Sequence, residues 1–306
     1  KQENIQSQID KIISYESSID TLINADNLGD INNKILGIAS SEGDGYGIDN
    51  LPDNMFMRNE LETYYENLNC TFIELYEDYL SKDSNIDSQN KYDKPGDPIS
   101  HDLISEINQG IQLLLYTGHA NEVSLSTTNF STNNINLLNN INKYFVGCIV
   151  GCSLGSYDED YMSLAENFQV AKNKGSVAMF ASSILQSWRP PMHMQREFNK
   201  HVYESDKVKT IGELFKSSIL NSNFKNSLDY WYYHILGDPC TRFILTLPIL
   251  KKNKNFENKS NNMNFYVDNY PLEASALICN YDNTDEKYIF QGNEIQNSWN
   301  KSNQLF

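Results

Sequence analysis

The sequence predicts an α/β fold: a mostly parallel β-sheet covered by helices on both faces, followed by a small β-sandwich-like tail. Three observations predict it. Short β-branched runs bounded by Gly, Asn or Asp alternate with longer stretches of helical spacing. Those runs are apolar throughout, as strands buried on both faces must be. After Pro248 the composition turns polar and the pattern changes.

The strands are expected at Lys34–Ala39, Thr71–Leu75, Ile111–Tyr116, Val146–Gly151, Ser176–Ala181 and Phe243–Leu247. The helices are expected at Glu3–Tyr15, Asn54–Leu68, His101–Gln109, Thr132–Lys143, Tyr161–Asn173, Met194–Tyr203, Val208–Ile219 and Ser227–Leu236. Lys82–Pro98, a polar stretch, interrupts the alternation and reads as a surface loop. Gly237-Asp238-Pro239 reads as punctuation closing a helix before the last strand. Two domains follow: residues 1–248 as the α/β domain, and 249–306 as a linker with a small, truncated β-sandwich whose strands alternate over Phe265–Phe290. About 60 residues are fewer than a full immunoglobulin-type sandwich uses.

Composition narrows the function. Hydrophobic residues at 40% and charged residues at 21% describe a chain that folds rather than a disordered one. Forty acidic against 24 basic side chains give a formal charge of −16, which repels nucleic acid and anionic lipid. No run approaches the roughly 20 apolar residues of a membrane helix. The chain opens with KQENIQSQID, which is neither a signal peptide nor an initiator Met and reads as a processed or excised start. Five cysteines, Cys70, Cys148, Cys152, Cys240 and Cys279, are too sparse for a disulfide framework and leave at least one thiol unpaired.

In an open parallel sheet, functional groups collect at the carboxyl ends of strands. Ile111–Tyr116 ends in Thr117-Gly118-His119-Ala120, and the next strand ends in Cys152. An imidazole and a thiol are thereby expected on one rim. That pair suits nucleophilic attack on a carbonyl, with His119 as general base and the N–H groups of Ala120 and Cys152 facing the oxyanion. A helix following Asp158 would favour the thiolate modestly. The plainer alternative is a hydrogen-bonded turn histidine and a packing cysteine. Cys148 lies deeper in the strand and reads as core. A zinc site from Cys148, Cys152 and His119 fails because three intervening residues of extended chain separate the sulfurs too widely.

Four segments in order, YTGHA (Tyr116–Ala120), GCSLGSYD (Gly151–Asp158), QSWRPPM (Gln186–Met192) and YHILGDPCTRF (Tyr233–Phe243), resemble the gingipain family of cysteine peptidases, and its arginine-specific members most. The resemblance runs from about Lys1 to Pro248. It implies a caspase-like fold and an extracellular enzyme, secreted or at the cell surface, that cleaves proteins or peptides after a basic residue, Arg above Lys. The family's His in YTGHG and Cys in C-x-x-G-x-[FY] fall on His119 and Cys152, with Ala120 departing from the family's Gly. Its His-orienting Glu falls on Glu42 in ILGIASSEG, where the residue alone also reads as a solvated loop carboxylate. Its acidic P1-pocket residue falls on Asp53, which would equally make a helix N-cap. The pocket walls fall on Trp188 and Met192, whose alternative is core packing.

The resemblance implies no cofactor for the chemistry. It leaves structural calcium open, although no segment has EF-hand spacing. Two other activities fit the same residues: acyl transfer to an amine in a sortase-like transpeptidase, and a catalytically inactive binding module, which Ala120 alone favours.

Overall fold

The computed structural model describes residues 2–24, 34–65, 70–78, 91–204, 209–243, 245, 288–290 and 293–295. In chain order the elements begin with helix α1 (Gln2–Asn24), strand β1 (Lys34–Ala39), helix α2 (Asp53–Tyr65), strands β2 (Thr71–Tyr76) and β3 (Lys91–Asp93), helix α3 (Ser100–Gln109) and strand β4 (Leu113–Thr117). Three two-residue strands follow: β5 (Ala120–Asn121), β6 (Ser124–Leu125) and β7 (Phe130–Ser131). Then come β8 (Phe145–Val150), α4 (Leu164–Val170), β9 (Ser176–Ser182), α5 (Arg189–Tyr203), β10 (Lys209–Thr210), α6 (Ile211–Asn221), β11 (Tyr233–Gly237) and β12 (Arg242–Phe243). The chain divides into two compact units, Lys1–Leu247 and Pro248–Phe306.

Seven strands of the first unit form one sheet in the order β11-β9-β8-β4-β1-β2-β3. All neighbours are parallel except β11, which runs antiparallel to β9. Strands β1, β4, β8 and β9 are buried along nearly their whole length, which accounts for their uninterrupted apolar sequences. Alternate side chains feed two cores. On one face Ile35, Leu113, Leu115, Val146 and Phe180 meet Met57 and Leu61 of α2, Phe198 of α5 and Phe215 of α6. On the other, Leu36, Ile38, Leu114, Tyr116 and Ile149 meet Leu103 and Ile107 of α3 and Phe168 of α4. Fully buried Gln195 of α5 staples β4 to β8: its Nε2 donates to Tyr116 O and Cys148 O, and its Oε1 accepts from Thr117 Oγ1.

Five expectations need correction. Ser227–Leu236 is not a helix but a 3₁₀ turn, Leu228–Tyr232, followed by β11. Gly237-Asp238-Pro239 therefore closes a strand. Thr132–Lys143 forms only a 3₁₀ turn, Thr132–Leu137, because Leu138 turns back to extended backbone. The stretch Lys82–Pro98 contains β3, whose parallel pairing with β2 at the sheet edge lets a short polar segment become a strand. Of the expected strand Phe243–Leu247, Phe243 ends β12, which pairs outside the main sheet with β10; residues 244, 246 and 247 lie outside the described residues.

In the second unit, Tyr288–Phe290 and Asn293–Ile295 pair as β13 and β14, antiparallel. The remainder of the expected sandwich lies outside the described residues.

Helix α1 is tied down by an unusual anchor. Lys11 is almost fully buried, and its Nζ donates to the carbonyls of Phe168, Lys174 and Ser176 at 2.8, 3.1 and 2.9 Å. Burial pushes its ammonium down to about 7. Removing the ammonium would take the donor from three carbonyls, two of them buried. Lys11→Met is expected to cost about 2–4 kcal/mol, as leaving buried polar groups unpaired does. Urea unfolding monitored by circular dichroism measures it.

Candidate active site

The sheet reverses its winding between β1 and β4: the chain leaves β1 for β2 on one side and returns to β4 on the other. In open α/β sheets, ligand sites form at the carboxyl ends of strands flanking such a point. Ala39, Thr117 and Val150 stand at one level, because Ala39 pairs with Thr117 and Thr117 with Val150. Two further backbone bonds, Ser40 N–H to Thr117 O and Gly118 N–H to Val150 O, extend the ladders past the strand ends. His119 and Cys152 each lie two residues beyond that level, on adjacent parallel strands. Both remain accessible: the His119 side chain is 51% exposed and Cys152 is half-buried.

Glu42, three residues beyond β1, reaches His119. Its Oε2 lies 2.7 Å from His119 Nε2. With Nε2–H donating to the carboxylate, Nδ1 is the ring nitrogen left for proton transfer. His119 is held at its backbone and at its ring. Tyr116 Oη donates to His119 O at 2.5 Å, and the Trp188 ring meets the imidazole edge-on at 5.4 Å between centroids.

Around the thiol the backbone is tight. Ser153, directly after Cys152, adopts a left-handed φ of 56°, and its N–H donates to Ile184 O. Cys152 Sγ accepts the N–H of Gln186 at 3.3 Å. Helix α4 does not take that role, because its first N–H groups are spent elsewhere: Leu164 on Glu122 O, Ala165 on Leu154 O and Glu166 on the Ser163 cap. Cys148 is fully buried among Gln195 and the core, and burial holds its thiol well above the ordinary range.

Ala120 has its N–H turned away from its hairpin partner. The bond Ser126 N–H to His119 O brackets the Ala120–Leu125 pair, which makes that pair non-hydrogen-bonded. Its methyl is accommodated by a glycine opposite, since a Cβ at Gly151 would stand 3.0 Å from Ala120 Cβ.

Asp53 is fully buried at the first position of α2. Its oxygens are engaged by side chains, Oδ2 by Ser40 Oγ at 2.6 Å and Oδ1 by Trp188 Nε1 at 2.9 Å. Gly43 permits this packing. It holds φ at +81°, and a Cβ there would stand 2.8 Å from Asp53 Oδ1. Burial raises the Asp53 carboxyl to about 6, against the bonds from Ser40 and Trp188 and the nearby His119. Trp188, half-buried, sits between Asp53 and the imidazole. Met192 is fully buried one turn along α5, packed with Ile48, Phe56 and Val150, and its Sδ would lie 3.1 Å from a Cβ at Gly47.

The structure thus brings Cys152, His119, Glu42, Ala120, Asp53 and Trp188 to one rim, with Met192 beneath. Sequence reasoning missed Ser40, Gln186 as a donor to sulfur, and Gln195. Gln186 and Ser40 lay in segments already singled out, QSWRPPM and ILGIASSEG, but Gln195 did not. Among the described residues no group of three or more His, Cys, Asp or Glu side chains is gathered for a metal, and no helix is long and apolar enough to cross a membrane.

A mostly parallel sheet with Cys and His at the ends of adjacent central strands defines a caspase-like fold. The profile of Peptidase family C25 matches residues 1–244, and the chain belongs to that family. It is 30% identical over 257 residues to gingipain R2 of Porphyromonas gingivalis, over 78% of this chain and 30% of that protein. The complex of P. gingivalis RgpB pro- and mature domains superposes with a TM-score of 0.66 at 25% identity, covering 80% of this chain and 55% of that one. The Arg-specific cysteine proteinase gingipain R does so with a TM-score of 0.65 at 25% identity, covering 80% and 54%. The chain spans about half of those structures and less than a third of the curated relative.

The raised Asp53 carboxyl carries a stability cost with a defined sign. The folded state binds this proton more tightly than the unfolded chain, so stability falls as pH rises from about 4 through about 6, and the full cost applies above that range. Asp53→Asn is expected to stabilise the fold above pH 7 by on the order of 2 kcal/mol and to change little below pH 4. Thermal melts across that range measure it.

Proposed function

We propose that this chain is a cysteine endopeptidase that cleaves proteins or peptides after a basic P1 residue, Arg above Lys, acting outside the cell. The observation that supports the reading is the matched register of β4 and β8, after which His119 and Cys152 each follow two residues past the same level, while Glu42 bonds Nε2 of the imidazole. Acyl transfer by a thiol uses a nucleophile and a base so related, and a third group orients the base.

In the proposed reaction Cys152 gives its proton to His119 Nδ1, and Sγ attacks the carbonyl carbon of the scissile bond. Ala120 and Cys152 N–H groups receive the oxyanion. The C–N bond breaks as His119 returns the proton to the leaving amine, and a thioester remains on Cys152. Water, deprotonated by His119, then attacks the thioester, and the carboxylic acid leaves as the thiol re-forms. Glu42 keeps one imidazole tautomer and steadies the imidazolium. Protons balance within the His–Cys pair, so these steps call on no cofactor.

Asp53 is the proposed anchor for the substrate cation, and Trp188 and Met192 are the proposed walls for its apolar stem. A guanidinium matches two carboxylate oxygens in a way an ammonium does not. Reaching Asp53 requires Trp188 to yield its bond, a change the guanidinium's own donors offset.

Two measurements test this. Cys152→Ala, or carboxymethylation of the native thiol, is expected to abolish cleavage of an arginyl reporter peptide; retained cleavage would exclude Cys152 as nucleophile. The P1 profile of kcat/KM is expected to collapse for Arg and Lys in Asp53→Asn by about a hundredfold, the scale of losing one partner of a buried ion pair, with neutral P1 residues unaffected. An unchanged profile would remove Asp53 from the pocket. In the native enzyme the Arg preference is expected to fade as pH drops through about 6, where the Asp53 carboxyl takes up its proton.

A further inference from the structure

The segment between β9 and α5, residues 183–188, supplies the Gln186 N–H to Cys152 and the Trp188 indole to Asp53. It forms neither helix nor strand; Ser182 Oγ, which accepts the Ile184 N–H and the Gln186 side-chain amide, and the Ser153 N–H on Ile184 O anchor its first half. The segment is gripped from outside by the 3₁₀ turn Leu228–Tyr232. At one end Ser183 N–H donates to Tyr232 O at 2.9 Å. At the other, Asp229 Oδ1 accepts the N–H of Ser187 at 3.0 Å and Oδ2 accepts its hydroxyl at 2.7 Å. Asp229 is itself fixed by Ser227, whose Oγ donates to Oδ2 at 2.6 Å while capping the turn.

We infer that Asp229 is a positioning residue for the nucleophile, holding the Gln186 N–H on the Cys152 sulfur through the Ser187 backbone it clamps. The inference rests on the reading of Cys152 as the reactive thiol. The Ser187 N–H and the Gln186 carbonyl belong to one rigid peptide plane, joined to the preceding plane only through the two soft dihedrals at Gln186, so fixing the Ser187 N–H fixes the Gln186 carbonyl and limits where the Gln186 N–H can point. A donor held on sulfur favours the thiolate over the thiol. The carboxylate also stays charged: burial alone would raise it, but the bonds from Ser227 and from Ser187 outweigh burial and hold it below its ordinary value. The same clamp sits one residue before Trp188, so it governs both the sulfur donor and the proposed pocket wall.

The test is the pH dependence of Cys152 alkylation by iodoacetamide, followed by peptide mapping in the full chain. In Asp229→Ala the alkylation profile is expected to move to higher pH, with a rate at pH 7 about tenfold below native, as loss of one charge-assisted donor bond predicts. Asp229→Asn keeps one acceptor oxygen for the Ser187 N–H and an amide that Ser187 Oγ can accept from, so it is expected to restore most of the rate. Ser187→Ala removes only the hydroxyl link and is expected to fall between them. It carries the same readout if Asp229→Ala does not fold. A native-like alkylation profile in folded Asp229→Ala or Ser187→Ala would overturn the inference. The readout is independent of turnover: failure of the peptidase reading would appear instead as native Cys152 alkylated without loss of peptide cleavage.

Discussion

The constraint on which the site depends is the hydrogen-bond register of three parallel strands. Because Ala39, Thr117 and Val150 are locked at one level, three loops leave the sheet together, and each needs only two or three residues to deliver Glu42, His119 and Cys152. A slip of one residue in any of these pairs would send its side chain to the opposite face. The core guards against that slip. Both faces of β4 and β8 are buried, and Gln195 bonds across the two strands immediately below their exits.

Rigidity below contrasts with exposure above. The Glu42–His119 pair is more than half exposed on both sides, and a pair of that kind adds little to stability. Its value lies in orientation. Asp53 is the reverse case, a carboxyl buried at a stability cost, engaged by neutral donors from Ser40 and Trp188. A buried acid whose ionisation is disfavoured is a receptor for a cation, and the cost it imposes on the fold is the reserve on which the proposed specificity draws.

Much of this was legible in the sequence, for reasons that also mark where legibility ends. Strands β1, β4, β8 and β9 announce themselves because burial on both faces demands unbroken apolar runs, and His119 and Cys152 follow from the ends of two such runs. Strand β11 pairs on one side only and is mostly half-buried, so its sequence carries no strand signature, and the helical spacing of Leu228, Trp231 and Ile235 misleads. Glu42 is 77 residues from His119, a distance no spacing argument bridges; the family resemblance placed it. Gln186 acts through its backbone and Asp229 through a contact 42 residues away, and neither leaves a pattern in the chain.

The central claim is that one thiol, activated by one imidazole, reacts with the carbonyl next to a basic side chain. Treating the chain with an acyloxymethyl ketone bearing a P1 Arg, then locating the adduct by mass spectrometry, tests it most directly. The account predicts a single adduct on Cys152 that disappears in His119→Ala. An adduct on the exposed Cys240 instead, or labelling of Cys152 that is indifferent to the loss of His119, would contradict it.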